Sequence, residues 1–179
     1  MAEEEHQHAS LVMTVLMTPD MTNFAGNVHG GATLDLLDQV AYACASRYSG
    51  HFVITISVDR VVFMQRIHVG ELVTFMASVN YTGVTSMEVG VRVEAENIRE
   101  RTRRHVMTCY FTMVAVNEDG TPTKVPTLVV ETPTQRRRWE AAKLRQEFSK
   151  EIERRMLAIR QHPESFLEEE QESSESPGT

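Results

Sequence analysis

Three residue types with chemical potential coincide between Thr22 and Ala41, in the run T-N-F-A-G-N-V-H-G-G-A-T-L-D-L-L-D-Q-V-A. Gly30-Gly31 opens a helix. Glycines at such a point let a ligand approach free backbone N–H groups that already carry the positive end of the helix dipole, an arrangement suited to a developing oxyanion. Asp38 lies four residues after Leu34 and three before Ala41, which predicts a place on the apolar face that the helix buries, where a carboxylate must be used or satisfied. Asn23, in the loop just upstream, offers a donor and an acceptor able to orient a water or a carbonyl. Two of these features also have a plain structural reading: glycines that only start a helix, and an aspartate capped by a hydroxyl or an Arg. Asp35, expected in the first turn, complements the helix dipole. His29, just before the glycines, is either a base or a structural residue.

Little else in the chain has the spacing of a reactive centre. His6, His8, His51, His68, His105 and His162 are scattered without metal-ligand spacing, so no metal site is expected. Cys44 falls on the apolar helix face and Cys109 in a strand, which suits small core residues and offers neither a zinc pattern nor a disulfide framework. There is no G-x-S-x-G elbow and no phosphate-cradling G-x-x-x-x-G-K run.

The elements that must position Asn23 and Asp38 follow from periodicity. Residues 10 to 17, SLVMTVLM, predict a strand leading into the turn at Thr18-Pro19-Asp20. From Gly30, Leu34, Leu37, Ala41, Cys44, Ala45 and Tyr48 recur at three- and four-residue spacing, predicting one helix that ends near Ser49-Gly50. Four β-rich segments follow, at 53–63, 71–82, 86–97 and 105–116, and the alternation in TFMASV and VRVEA marks half-buried antiparallel strands. Strands this long must curve, and the early helix with its wide apolar face is the natural object for them to wrap, an α+β arrangement. The basic R-T-R-R at 101–104 is read as a hairpin tip. Beyond Pro133 the helix formers and mixed charges of 134–162 predict a C-terminal helix, with Trp139, Ala142, Leu144, Phe148, Ile152 and Met156 forming a thin stripe that docks on the domain or on a neighbouring subunit.

Composition bounds the rest. The 179 residues suit one domain, 10–133, with a flexible segment at 1–9 and a Glu- and Ser-rich disordered tail at 163–179. A net charge of -7 and a pI of about 5.5 argue against nucleic-acid partners. No window approaches the roughly 18 apolar residues of a membrane span, and the acidic start MAEEEHQH lacks the pattern of a secretory or transit signal, so a cytoplasmic protein without membrane partners is expected.

Asn23 with G-N-V-H-G-G at 26–31, L-L-D at 36–38, S-V-D-R-V-V-F at 57–63 and V-P-T-L-V-V-E-T at 125–132 together resemble the hotdog-fold acyl-CoA thioesterases of the cytosolic brain-type and bacterial YciA-like group. In order and spacing the resemblance covers about residues 10 to 150. It implies a hotdog fold with a sheet of five or six antiparallel strands around the helix that begins at Gly30, and homodimers joined through their sheets that assemble as a hexamer, a trimer of dimers. It also implies acyl-CoA as substrate and active sites between subunits, with Asp38 of one chain as catalytic acid residue and Asn23 of its partner as the polar residue. No separate cofactor is implied, since CoA is part of the substrate and product.

Thioester hydrolysis needs a nucleophile at the carbonyl carbon and stabilisation of the charge on its oxygen. By the resemblance Asp38 is general base on a water or direct nucleophile, Asn23 positions the water or the carbonyl, and the N–H of Gly31, helped by that of Gly30 or His29, forms the oxyanion site. Val28 and His29 would line the substrate. The pantetheine arm would follow Ser57 and Val58 and pass the turn carrying Thr82, Thr85 and Ser86, while Arg60 and Arg66 are candidates for the nucleotide phosphates. Two other functions fit the fold less well. A non-catalytic CoA-ligand regulator carries a DNA-binding module ahead of the hotdog, and nine residues precede the first strand here. A hydratase needs a His beside the helical carboxylate, and Asp38 has none.

Overall fold

The structure, a computed structural model, describes residues 8–161, the side chain of Arg60 excepted. The flexible segment expected at 1–9 lies almost wholly outside the described residues, and the tail expected at 163–179 entirely so. The chain divides into two units, one ending at Arg138 and one beginning at Trp139.

The first unit opens with strand β1, Ser10–Leu16, followed by a single 3-10 turn at Pro19–Met21 and helix α1, Gly30–Ser49. Strands β2, Phe52–Phe63, β3, Leu72–Thr82, β4, Ser86–Asn97, and β5, Thr102–Val116, then follow in sequence. All pairings are antiparallel and the sheet order is β1-β3-β4-β5-β2, so β1 and β2 are the two edges. α1 touches all five strands, which is the hotdog arrangement: one helix held inside one curved sheet.

The reason lies in the alternation. Val73, Phe75, Ala77 and Val79 of β3, Met87, Val89, Val91 and Val93 of β4, and Cys109, Phe111, Met113 and Ala115 of β5 all point to one face and are buried. Leu37, Val40, Ala41, Cys44 and Ala45 of α1 fill that face, each fully buried. A side chain of this kind, fully buried, contributes about 1.5–3 kcal/mol if it is large. The helix stops where expected, because Gly50 adopts φ 71° and its N–H donates to Ser46 O.

Two departures from the periodic reading matter for function. The buried arc of α1 runs through Thr33, Leu37, Val40, Ala41, Cys44 and Ala45, leaving Leu34 39% exposed and Asp38 exposed. Asp38 sits about 100° round the helix from Leu37, past the rim of that arc. The expected burial of Asp38 is therefore corrected: it flanks the core beside the last strand of the sheet, with no further strand to cover it. Asp35 lies in the second turn, not the first, is exposed, and accepts from Gln39 Nε2 at 2.8 Å.

The R-T-R-R run is a hairpin tip only at Arg101, which takes φ 54°. Thr102 already begins β5, Arg103 bonds Glu96 at 2.6 Å, and Arg104 bonds Glu71 at 2.6 Å. Helix α2, Pro133–Gln161, starts with a capping box: Thr132 Oγ1 accepts from the Gln135 N–H, Gln135 Oε1 accepts from the Thr132 N–H, and Pro133 occupies the first turn. Within the second unit Leu144, Phe148, Ile152 and Met156 are each at least half exposed.

Candidate active site

The segment between the 3-10 turn and α1 is a closed loop. Thr22 bridges Val28, the Asn23 N–H donates to Asn27 O at 2.8 Å, and Gly26 turns the chain at φ 76°. Asn23 Oδ1 accepts from the N–H groups of Ala25 (2.9 Å) and Asn27 (3.2 Å), so its carbonyl shapes the loop and its Nδ2 is the end available to a ligand. Phe24, next to it at the tip, is fully exposed.

At the start of α1 the three expected backbone donors are not equivalent. The His29 N–H donates to Met21 O at 2.7 Å. The Gly31 N–H donates to His29 Nδ1 at 2.8 Å, making His29 the N-cap of the helix. Among the described residues neither accepts from the Gly30 N–H, nor does any other group. The Gly31 amide, expected as the leading oxyanion donor, is therefore occupied by His29 Nδ1, while the Gly30 amide is open. Gly30 also faces the Phe63 ring, which a Cβ would meet at 3.3 Å.

Asn23, Val28 and Gly30 line a cleft of about 600 Å³ with Thr33, Phe63, Met64, Gln65, Arg66 and Ile67. Val28 is buried in its floor, and its N–H donates to Ile67 O at 2.9 Å, tying the two walls together. Asp38 is not in this cleft. It stands eight residues further along α1, about 12 Å at 1.5 Å per residue, where Thr55 Oγ1 donates to its Oδ1 at 2.7 Å. Asp38 Oδ2 accepts from no described residue and faces outward.

Thr55 belongs to β2 and is placed by an irregularity. Thr55 pairs with Met113 but Ser57 pairs with Thr112, so Ile56 is an extra, bulged residue. The bulge keeps Thr55 and Val58 on the helix side and turns Ser57 to the outer face. Ser57 and Val58 thus lie on opposite faces of β2. Arg60 belongs to β2, and its side chain lies outside the described residues. Arg66 is exposed and lines the cleft.

The Thr82–Ser86 turn is elsewhere. The row from Thr55 crosses Met113 and Met87 to reach Thr82, three strands and about 14 Å away. Thr82 Oγ1 accepts from the Leu128 N–H, Thr85 O from the Ala115 N–H, and Ser86 O from the Gly83 N–H. Within one chain, then, Thr82, Thr85 and Ser86 are not brought to Asp38 or to the cleft.

Thr55 was missed because a threonine in a β-rich run carries no spacing signal; only its place opposite the helix marks it. Both cysteines are buried, and burial pushes each thiol up to about 12, which removes them as nucleophiles. No group of three or more His, Cys, Asp or Glu able to hold a metal occurs among the described residues, and no helix there is long and apolar enough to cross a membrane.

Comparison with known proteins follows the same lines. The family model described as the thioesterase superfamily matches residues 25–102. Protein VdlD of Helicobacter pylori is 48% identical over 137 residues, 76% of this chain and 78% of that protein. An apo-hexameric acyl-CoA thioesterase has a similar structure, with TM-score 0.79 and 34% identity over 82% of this chain and 94% of that one. An acyl-CoA hydrolase from Staphylococcus aureus, solved with butyryl coenzyme A, coenzyme A and coenzyme A disulfide, has TM-score 0.77 and 26% identity over 90% and 96% of the two chains. That hydrolase has also been solved as single alanine variants at an asparagine, an aspartate and a threonine, the aspartate 15 residues after the asparagine and the threonine 17 after the aspartate. Asn23, Asp38 and Thr55 stand at the same two intervals here.

Proposed function

The chain belongs to the hotdog-fold acyl-CoA thioesterase family, and from that premise we propose that it hydrolyses acyl-CoA thioesters to a free acid and CoA, at sites shared between two copies of the chain. The observation that carries the reading is the Thr55 hydroxyl donating to Asp38 Oδ1 at 2.7 Å, at the sequence intervals that three variants of the S. aureus hydrolase single out. Thr55 holds one carboxylate oxygen and leaves Oδ2 to take a proton from water or to attack the carbonyl carbon itself.

Distance divides the work. Asn23 Nδ2 and the Gly30 N–H face one cleft, and Asp38 of the same chain is about two helical turns away, too far for one carbonyl to meet all three. In the proposed site the carboxylate and Thr55 come from one subunit, while Asn23 and the helix-start amide come from its partner. Gly30 N–H then receives the oxyanion, and removing such a donor costs roughly a hundredfold or more in rate. Val28 and Arg66 bound the cleft beside the helix cap at His29, with Arg66 and Arg60 as partners for the CoA phosphates.

Two features support a dimer. β2 is an unpaired edge with Phe52, Ile54, Ile56, Val58 and Val62 between 43% and 63% exposed, and the loop that carries Asn23 ends in the exposed Phe24. Pairing two β2 strands would cover that edge, and three such dimers would give the hexamer that the resemblance implies. A thiol-release assay on the purified protein with short, medium and long acyl-CoAs tests the reading. Thioester cleavage above the uncatalysed rate is expected for at least one chain length; none at any length sinks it.

A further inference from the structure

The wall of the cleft formed by Met64, Gln65, Arg66 and Ile67 is not part of any helix or strand, and its fastenings are countable. The Met64 N–H donates to Val106 O at 3.0 Å, and Ile67 O accepts from Val28. Between them Gln65 and Arg66 make one hydrogen bond among the described residues: Arg66 O accepts from Arg104 Nη2 at 2.6 Å. Arg104 comes from β5, near the turn of the β4–β5 hairpin, and does not line the cleft.

Its guanidinium is itself held. Nη1 and Nη2 donate to Glu71 Oε1 and Oε2 at 2.6 and 2.8 Å, a two-pronged pair in which Glu71 is 6% exposed. Glu71 Oε2 also accepts from the His68 N–H at 2.9 Å, and the Met17 N–H, just past the end of β1, donates to Glu71 O at 2.9 Å. Each end of the relay is anchored in the sheet, and the one free-running dipeptide of the cleft wall hangs from its middle.

Resting on the hydrolase reading, we propose that Arg104 and Glu71 are positioning residues for acyl-CoA binding: the pair fixes the Arg66 peptide and with it the Gln65–Arg66 wall of the cleft. Neither touches the reacting atoms. The pair acts on substrate capture, because the Gln65–Arg66 stretch carries Arg66, the proposed partner of the CoA phosphates, and supplies no group to the thioester carbonyl. Arginine is required for its shape as well as its charge, since one planar fork must reach both Glu71 oxygens and Arg66 O; the single nitrogen of lysine cannot.

The experiment is steady-state thiol release with an acyl-CoA substrate of the wild type, Arg104→Ala, Arg104→Lys and Glu71→Gln, with hydrogen exchange of the peptide covering 64–67. Expected is a KM raised about tenfold in Arg104→Ala and Arg104→Lys, with kcat within about twofold and faster exchange at 64–67, as loss of one charge-assisted bond implies. Glu71→Gln changes in the same direction by a smaller factor. Should Arg104→Ala fail to fold, Arg104→Lys carries the test. A wild-type KM in Arg104→Lys overturns the proposal, since charge alone would then suffice; so does a fall in kcat at unchanged KM. An inactive wild type overturns the hydrolase reading and this inference with it, whereas an active wild type beside unaltered variants overturns the inference alone.

Discussion

Replacing Asp38 by Asn changes the chemistry of the carboxylate and almost nothing else. Asp38 is exposed and off the buried arc of α1, so no cavity and no buried unpaired charge results. The amide oxygen of Asn accepts the Thr55 hydroxyl at the same place, so the rotamer is kept. Stability should therefore change by less than about 1 kcal/mol, a shift of no more than about 2–4 °C in Tm for a protein of this size. Removing a positioned base costs about 10²–10⁴-fold in rate, which at 1.36 kcal/mol per tenfold is about 3–5 kcal/mol of barrier. The two quantities separate cleanly: kcat falls by at least a hundredfold while Tm and oligomer size hold. Thiol detection is undisturbed by the protein, because Cys44 and Cys109 are buried and their thiols are pushed up to about 12. A variant with wild-type Tm and a kcat within tenfold of wild type would show that Asp38 is neither base nor nucleophile.

Other consequences are equally open to measurement. Mixed dimers of Asn23→Ala and Asp38→Asn subunits should recover activity that neither parent has, since one of their two sites is intact; verified mixed dimers without recovery refute the shared site. The Glu71 carboxyl is pushed up by burial but pulled further down by the Arg104 and His68 N–H bonds, so it titrates below its ordinary 4.5. Its contribution to stability is present above that value and is lost as pH falls through the depressed one; Glu71→Gln should flatten the acid limb of a Tm-versus-pH curve, and an unchanged limb contradicts the assignment. Gly90→Ala places a Cβ against Asn80 Nδ2 and 3.2 Å from the Tyr110 ring. It should destabilise by about 1–3 kcal/mol in a denaturant titration.

Much of the fold was legible because each strand alternates and α1 keeps one apolar stripe; Gly50 and the Thr132-Pro133 start of α2 announced their caps through residue type. Asn23, Gly30 and Asp38 were legible as candidates because their side chains, or lack of one, are conspicuous in context. The exposure of Asp38 was not, because Leu34 and Ala41 bracket it in sequence while the arc that packs is centred nearer Leu37 and Val40. Thr55 was hidden by the Ile56 bulge, which decides the facing of β2 and leaves no trace in composition. The capture of the Gly31 amide by His29 Nδ1 depends on a side-chain rotamer, and the distance from Thr82–Ser86 depends on strand order; neither is written along the chain.

Strand β2 has a cost during synthesis. Its outer side offers unpaired backbone donors and acceptors beside Phe52, Ile54 and Ile56, and the groups that would recognise a second copy in the proposed dimer are open to any extended chain. A newly folded monomer therefore stands at a branch between correct pairing, which is second order in folded protein, and disordered addition of unfolded strands. The two bulges of β2, between Thr55 and Ser57 and between Asp59 and Val62, break its flat register and admit only a matching partner along its full length. Straightening that strand, by deleting Ile56, would trade selectivity for stickiness and turn an assembly edge into a seed for fibres.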